Sequence, residues 1–394
     1  MAQRTYRVMV IGGGIAGLTT AIALNRAGHE VRVFERYPRI EPLGAGLILW
    51  SNATNALRAI GLDKAVCSIG QPLARLAIVD VSGLTLAQTD ARMISQQAGA
   101  TTVAVHRADL VTALLAHLPD DAVATSKQFE YFSFEGGSVV AYFADRSRET
   151  GDVLVGADGL HSRVRAQIHG NHHPRYSGYT AWRAISPNTG NPLLGDDVST
   201  ETWGCGLRFG WVPLTDNRVY WFAVQNAPEG QHREPGGHKQ ELLRHFSDWH
   251  APIPATLEAT PDDAILRNDI FDRPSLPHWG VGPVTLAGDA AHPMTPNSGQ
   301  GAAQAIEDAV VLEHYLSRYR TIDGALRGFE QSRIPRTSMI TTLSRRIGVA
   351  AQLENPTLCR MRDTFARVTP DSQGARQIQQ VVNWQAPQIP DRPS

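Results

Sequence analysis

The chain has 394 residues, 42% hydrophobic and 19% charged, a balance that reads as a soluble globular protein of two or three domains. Its 37 basic and 38 acidic residues nearly cancel, so no global field draws nucleic acid or an acidic membrane to it. Three widely spaced cysteines, Cys67, Cys205 and Cys359, exclude a disulfide framework, a thiolate zinc site and a CxxC redox pair.

Residues 6–11 (YRVMVI) read as a buried strand running into Gly12-Gly13-Gly14. A helical pattern follows from Ile15 to about Ala27, Gly28 stops it, and Val31 to Glu35 is the next strand. This is a βαβ unit. Residues 75–89 alternate as a hairpin around Gly83, and 107–118 repeat leucines at helical spacing behind an Asp in the first turn. A second hairpin surrounds Gly136-Gly137, and Asp152 to Ala157 is a short buried strand. From about 176 to 228 the chain becomes aromatic-rich and strand-like, with a turn at Asp216-Asn217. A parallel-type strand returns at Val284 to Ala287, then a Gly/Pro-rich loop, then a helix from Ala302 to about Tyr319. Residues 323–368 read as mostly helical.

The expected fold is α/β: a Rossmann-like domain interrupted by an α+β domain with an antiparallel sheet, plus C-terminal helices. The discontinuous first domain would take 1–72, 102–175 and 272–321; the inserted one 73–101 and 176–271. A helical region over 322–384 and a polar, Pro-rich, flexible tail over 385–394 would close the chain. The N-terminus fails as a signal peptide and no run reaches the ~18 apolar residues of a membrane span, so a cytoplasmic protein is expected.

Gly12-x-Gly14-x-x-Gly17 follows a strand and opens a helix. Gly12 permits the tight turn, Gly14 a close approach to a pyrophosphate, and Gly17 close packing of helix on strand. Glu35 ends the second strand, where a carboxylate accepts from ribose hydroxyls, which suits FAD or NAD rather than NADP. Two further segments follow strands: Gly156-Ala157-Asp158-Gly159, continuing through Ser162-Arg163-Val164-Arg165, and Gly288-Asp289-Ala290-Ala291-His292, continuing to Pro296. Taken alone, the first also fits an Asp-Gly turn, and Asp289 a capping carboxylate.

With the Gly299-Gln300-Gly301-Ala302 run that leads into Ile306-Glu307-Asp308, the three motifs resemble the class A FAD-dependent aromatic hydroxylases over residues 6 to 336. That family includes salicylate, 3-hydroxybenzoate and urate hydroxylases. The resemblance implies tightly bound, non-covalent FAD, NADPH or NADH as transient reductant, and O2 as co-substrate. It also implies a flavin C4a-hydroperoxide that hydroxylates an electron-rich aromatic or heteroaromatic small molecule, with no nucleic acid, no stable membrane association, and a monomeric or homodimeric state. An epoxidase, an oxidase or another FAD-dependent tailoring enzyme is the alternative on the same fold.

The resemblance places Gly12, Gly14, Ala16, Gly17, Glu35 and Arg36 at the ADP half of FAD. Gly46, in the Gly44-Ala45-Gly46 loop, lies near the flavin, and Arg107 at the phosphate–ribityl region. Asp158, Asp289, Pro296, Gly299, Gly301 and Ala302 complete the cofactor set. Ala303 stands where the family commonly has Asn. Arg208 and Tyr220 occupy consecutive strands (206–212 and 218–225) with the spacing of a substrate-binding Arg/Tyr pair in urate hydroxylase, and are the expected catalytic and substrate residues. Phe222, Pro296 and Asn297 join the substrate set, Asn297 standing where urate hydroxylase has Asp. Arg208 and Tyr220 equally fit a solvated sheet face and a core aromatic. No histidine base is evident on this sheet, so Tyr220 or an already ionised substrate would serve. His292 reads as structural. His169, His172 and His173 lie on a polar loop, and no metal is expected.

Overall fold

In the computed structural model of the chain the described residues are 4–40, 45–188, 194–231 and 236–387. Gly44 and positions 388–394 of the expected tail lie outside them.

Strand Arg7–Ile11 is buried at every position after Arg7, as a parallel strand covered on both faces must be. It pairs in parallel with Val153–Gly156 on one side and Glu30–Phe34 on the other. Val284–Leu286 and Val123–Ala124 complete a five-stranded parallel sheet. Helices Ile15–Arg26, Ser51–Ala59, Arg107–Leu115 and Gly301–Arg318 share one core on one side of it. The antiparallel sheet of Phe129–Glu135, Ser138–Phe143 and Arg148–Gly151 joins the core on the other.

The second large sheet has seven strands in the order Leu266–Asp272, Arg175–Pro187, Arg218–Asn226, Leu207–Leu214, Val198–Trp203, Arg75–Asp80, Thr85–Asp90. It is mixed rather than wholly antiparallel, because Arg75–Asp80 runs parallel to Val198–Trp203. That pairing spans more than a hundred residues, and no local alternation reveals it. Side chains alternate across the sheet. Trp182, Phe209, Trp211 and Trp221 face outward into a core made with helices His238–Phe246 and Ile253–Ala259. Ile185, Val212 and Tyr220 face inward, against Leu73 and against Ile48 and Ala104 of the small sheet Gly46–Leu49, Val103–His106 and Gln71–Pro72. The inner face therefore looks onto the first domain. Helices Ile322–Ala351, Pro356–Val368 and Asp371–Val382 close the chain. Among the described residues no helix is long and apolar enough to cross a membrane.

Candidate active site

The first glycine loop is set by backbone geometry. Gly12 has φ +110°, and a Cβ there would lie 2.4 Å from the Ala157 carbonyl oxygen. A Cβ on Gly17 would lie 1.9 Å from the Gly12 oxygen. Gly14 is different: nothing lies within 4 Å of where its Cβ would be. Helix Ile15–Arg26 starts there without a side-chain cap, so its first amides are free to bind an anion. Glu35 holds the loop, accepting from the Gly13 amide at 2.8 Å and the Tyr37 amide at 3.0 Å. Each carboxylate oxygen keeps a lone pair for a hydroxyl. Arg36 turns aside onto the Tyr37 ring, 4.7 Å from its centroid.

The second loop meets the first. Gly288 has φ +58°, and a Cβ there would sit 2.6 Å from the Ala16 methyl; Ala16 thus sets how closely helix and loop approach. Asp289 is ringed by protein yet keeps exposed surface, as a side chain lining a cleft does. Burial pushes its carboxyl up, while His292 and Arg107 pull it down. Arg107 begins helix Arg107–Leu115; burial lowers its guanidinium, Asp289 supports it and Arg183 opposes it. Pro296–Ser298 is a 3-10 turn ending at Gly299 (φ +61°), whose missing Cβ would lie 3.3 Å from the Trp50 indole nitrogen. Gly301 again faces open space, and with Ala302 begins an uncapped helix.

Two observations show that these residues fit a dinucleotide. The open cradles at Gly14 and Gly301 are bare backbone at helix N-termini. Asp158 has one oxygen accepting from Arg163 and Val164 amides, while its other is buried without a partner.

On the inner face of the large sheet, Tyr220 and Phe222 stack over glycines. A Cβ on Gly46 would lie 2.4 Å from Cγ of Tyr220, and one on Gly210 2.3 Å from Cζ of Phe222. The two rings are 6.1 Å apart. Burial raises the Tyr220 phenol above its ordinary range, against the pull of Arg183.

Arg208 departs from expectation. It is 3% exposed, and its guanidinium donates to Gln352 (2.6 Å), Glu201 (3.0 Å) and Asn297 (2.9 Å). Asn297 in turn donates to Tyr179, Thr295 and the Ser344 carbonyl. Both side chains, expected at the substrate, tie the sheet to the Pro296 turn and the long helix. Among the described residues of this face Arg183, which sequence reading missed, is a cation that is not so engaged. Its Nε is buried without a partner, and it lies beside Tyr220 and Arg107.

A model of the family described as FAD binding domain matches residues 5–340. The chain is 42% identical to aurachin C monooxygenase/isomerase of Stigmatella aurantiaca over 92% of its length and 94% of the relative's. It is 33% identical to 3-amino-4-hydroxybenzoate 2-monooxygenase of Streptomyces cremeus, covering 94% of each. The structure of Klebsiella pneumoniae HpxO with FAD and uric acid superposes with a TM-score of 0.90 at 28% identity, covering 95% of this chain and 96% of that one. The chain belongs to the class A FAD-binding monooxygenases.

This monooxygenase is of the aromatic hydroxylase type, with FAD as cofactor and NAD(P)H as the family's reductant. Its motifs lock together through buried charge. Arg165, from the Asp158 segment, donates to the Ala290 and Ala291 carbonyls at 3.1 and 3.0 Å. Asp308 accepts from the Gly288 amide (2.9 Å), pairs with His292 (2.6 Å) and accepts from Arg333 (2.7 Å). Arg333 also meets Glu307 at 2.6 Å, and Asn52 donates to Glu307 at 2.7 Å. His292 is thus a structural partner of the second loop. His169 packs against His278, ring centroids 4.8 Å apart, and among the described residues no cluster of three His, Cys, Asp or Glu side chains is placed to hold a metal.

Proposed function

We propose that this enzyme hydroxylates an electron-rich aromatic or heteroaromatic ring held between the bound flavin and the Tyr220–Phe222 face. The observation that carries this reading is the Tyr220 ring laid over Gly46 of the small sheet, with the Phe222 ring 6.1 Å away over Gly210 of its own sheet. The names of the relatives support it, since they act on aurachin C and on 3-amino-4-hydroxybenzoate.

FAD, when bound, supplies electron transfer from NAD(P)H and activation of O2. The protein's part is positioning and electrostatics. The free amides ahead of Ile15 and Gly301 receive anionic or carbonyl groups of the cofactor, and Asp289 and Glu35 accept from hydroxyls. Tyr220 donates a hydrogen bond toward the substrate side, and Phe222 offers an apolar wall that excludes water. Arg208 and Asn297 act as positioning residues, fixing the sheet against the Pro296 turn.

The test is to screen the purified yellow protein against phenols, hydroxypyridines, hydroxyquinolines and purines. Substrate-stimulated NAD(P)H oxidation with one 18O atom from O2 in a ring hydroxyl is the expected result. Colour without stimulation by any of these rings, or an epoxide as product, overturns the reading.

A further inference from the structure

We propose that the substrate enters this site as an anion and that Arg183 is its counter-ion; this rests on the aromatic oxygenase reading above. Arg183 sits in strand Arg175–Pro187, directly across from Phe222 and diagonal to Tyr220, which pairs with Ile185. Its neighbours Trp182 and Ala184 are buried in the outer core. By strand alternation its side chain points inward, as Ile185 does. Cation, phenol and apolar ring therefore form one contiguous surface facing the first domain.

Among the described residues that cation has no hydrogen-bond or ion-pair partner. Its Nε is buried and unbonded, and no acid stands across the sheet from it. The other charge close to it is a second cation, Arg107, which has Asp289 for company. A half-buried guanidinium beside another is costly unless something negative completes the site. FAD brings negative charge to Arg107 and the loop amides. Arg183 projects instead from the sheet that carries Tyr220 and Phe222.

Three consecutive strands of the sheet carry no acidic or histidine base. Strands Arg175–Pro187, Leu207–Leu214 and Arg218–Asn226 contain no Asp, Glu or His. The inner-face acid of strand Val198–Trp203, Glu201, is held by Arg208, and a ring that arrives already carrying an oxyanion needs no proton acceptor here. Arg183 then neutralises that oxyanion while the Tyr220 hydroxyl donates to it. Arg208 is already engaged with Gln352, Glu201 and Asn297 at 2.6 to 3.0 Å, so Arg183 is the more open cation of the two.

The experiment compares benzoate with benzamide, which have the same shape and differ in charge. Their dissociation constants are read from the perturbation of the bound-flavin spectrum in holoenzyme. Wild type is expected to bind benzoate about tenfold or more tighter, the scale of one charge-assisted hydrogen bond. Arg183→Gln should bring that ratio to about one, and Arg183→Lys should keep most of it, both retaining FAD. A ratio of one in wild type, binding of neither probe, or a ratio unchanged in Arg183→Gln overturns the proposal. So does loss of FAD from Arg183→Gln with restoration in Arg183→Lys, which would give Arg183 to the cofactor. Failure of the oxygenase reading looks different: the charge ratio stands while no aromatic ring stimulates NAD(P)H oxidation.

Discussion

The cofactor loops and the substrate sheet handle buried charge in opposite ways. Behind the loops a group of buried charges is matched: Arg333, Glu307 and Asp308 are 1% exposed or less, and together with His292 they form one set of ion pairs. On the inner face of the sheet Arg208 is matched in the same manner, while Arg183 is left open. Matched charge holds a shape; open charge waits for a ligand. The contrast separates residues that build the site from residues that meet the substrate.

The largest expected effect lies on the matched side. Arg333→Met leaves Glu307 and Asp308 buried with their main counter-ion gone, and breaking such a pair costs about 3–5 kcal/mol. Urea unfolding of the holoenzyme followed by far-UV circular dichroism measures it. A loss below about 1 kcal/mol would mean that Arg336 and His292 suffice, and the loops are less dependent on matched charge than the geometry implies.

Next comes Gly17→Ala. The added Cβ falls 1.9 Å from the Gly12 oxygen, so the loop must shift. Overpacking of this kind costs about 1–3 kcal/mol, and the displaced amides should also lose FAD. The ratio of flavin to protein absorbance reads this directly. Full flavin occupancy in the variant would show that the cradle tolerates a looser turn.

The sharpest break between the two kinds of charge is a pair of like substitutions. Arg208→Gln removes charge-assisted hydrogen bonds to Glu201, Gln352 and Asn297 and should lose about 2 kcal/mol. Arg183→Gln removes no hydrogen bond or ion pair to a described residue and should stay within about 0.5 kcal/mol of wild type. Thermal midpoints of both holoenzymes decide it. Equal destabilisation would erase the distinction.

What could be read from sequence follows the same division. The Gly12, Gly14 and Gly17 spacing is a constraint of one backbone turn, so it shows locally, and Glu35 stands at the end of the adjoining strand. The Arg208–Tyr220 spacing correctly placed both residues in consecutive strands with sides facing inward. It could not show Gln352 or Asn297 arriving from 144 and 89 residues away to occupy the guanidinium. Arg183 was invisible for a related reason. Its signal is the lack of a partner, and only the assembled neighbourhood exposes a lack. The parallel pairing of Arg75–Asp80 with Val198–Trp203 was hidden by its sequence separation.

The smallest effect belongs to His169, next to the Asp158 segment, and it tests whether charge mismatch is confined to the sheet. Burial, with His278, Arg165 and His172 close by, pulls the His169 imidazolium down to about 4 from an ordinary 6.5. Between those values the unfolded chain binds a proton that the folded protein refuses. Stability therefore falls as pH falls through that window, and the full contribution is present only above about 6.5. The side chain is only partly buried, so solvent screening leaves about 1 kcal/mol of the effect. His29, also lowered by burial, keeps a share of the slope in any variant. Thermal midpoints of wild type and His169→Asn between pH 4.5 and 8 provide the check. Wild type should lose stability more steeply on acidification, and the two curves should become parallel above pH 7. Parallel curves throughout would mean that this histidine cluster accepts a proton in the folded state, leaving Arg183 as the charge mismatch of real consequence in the first domain and the sheet alike.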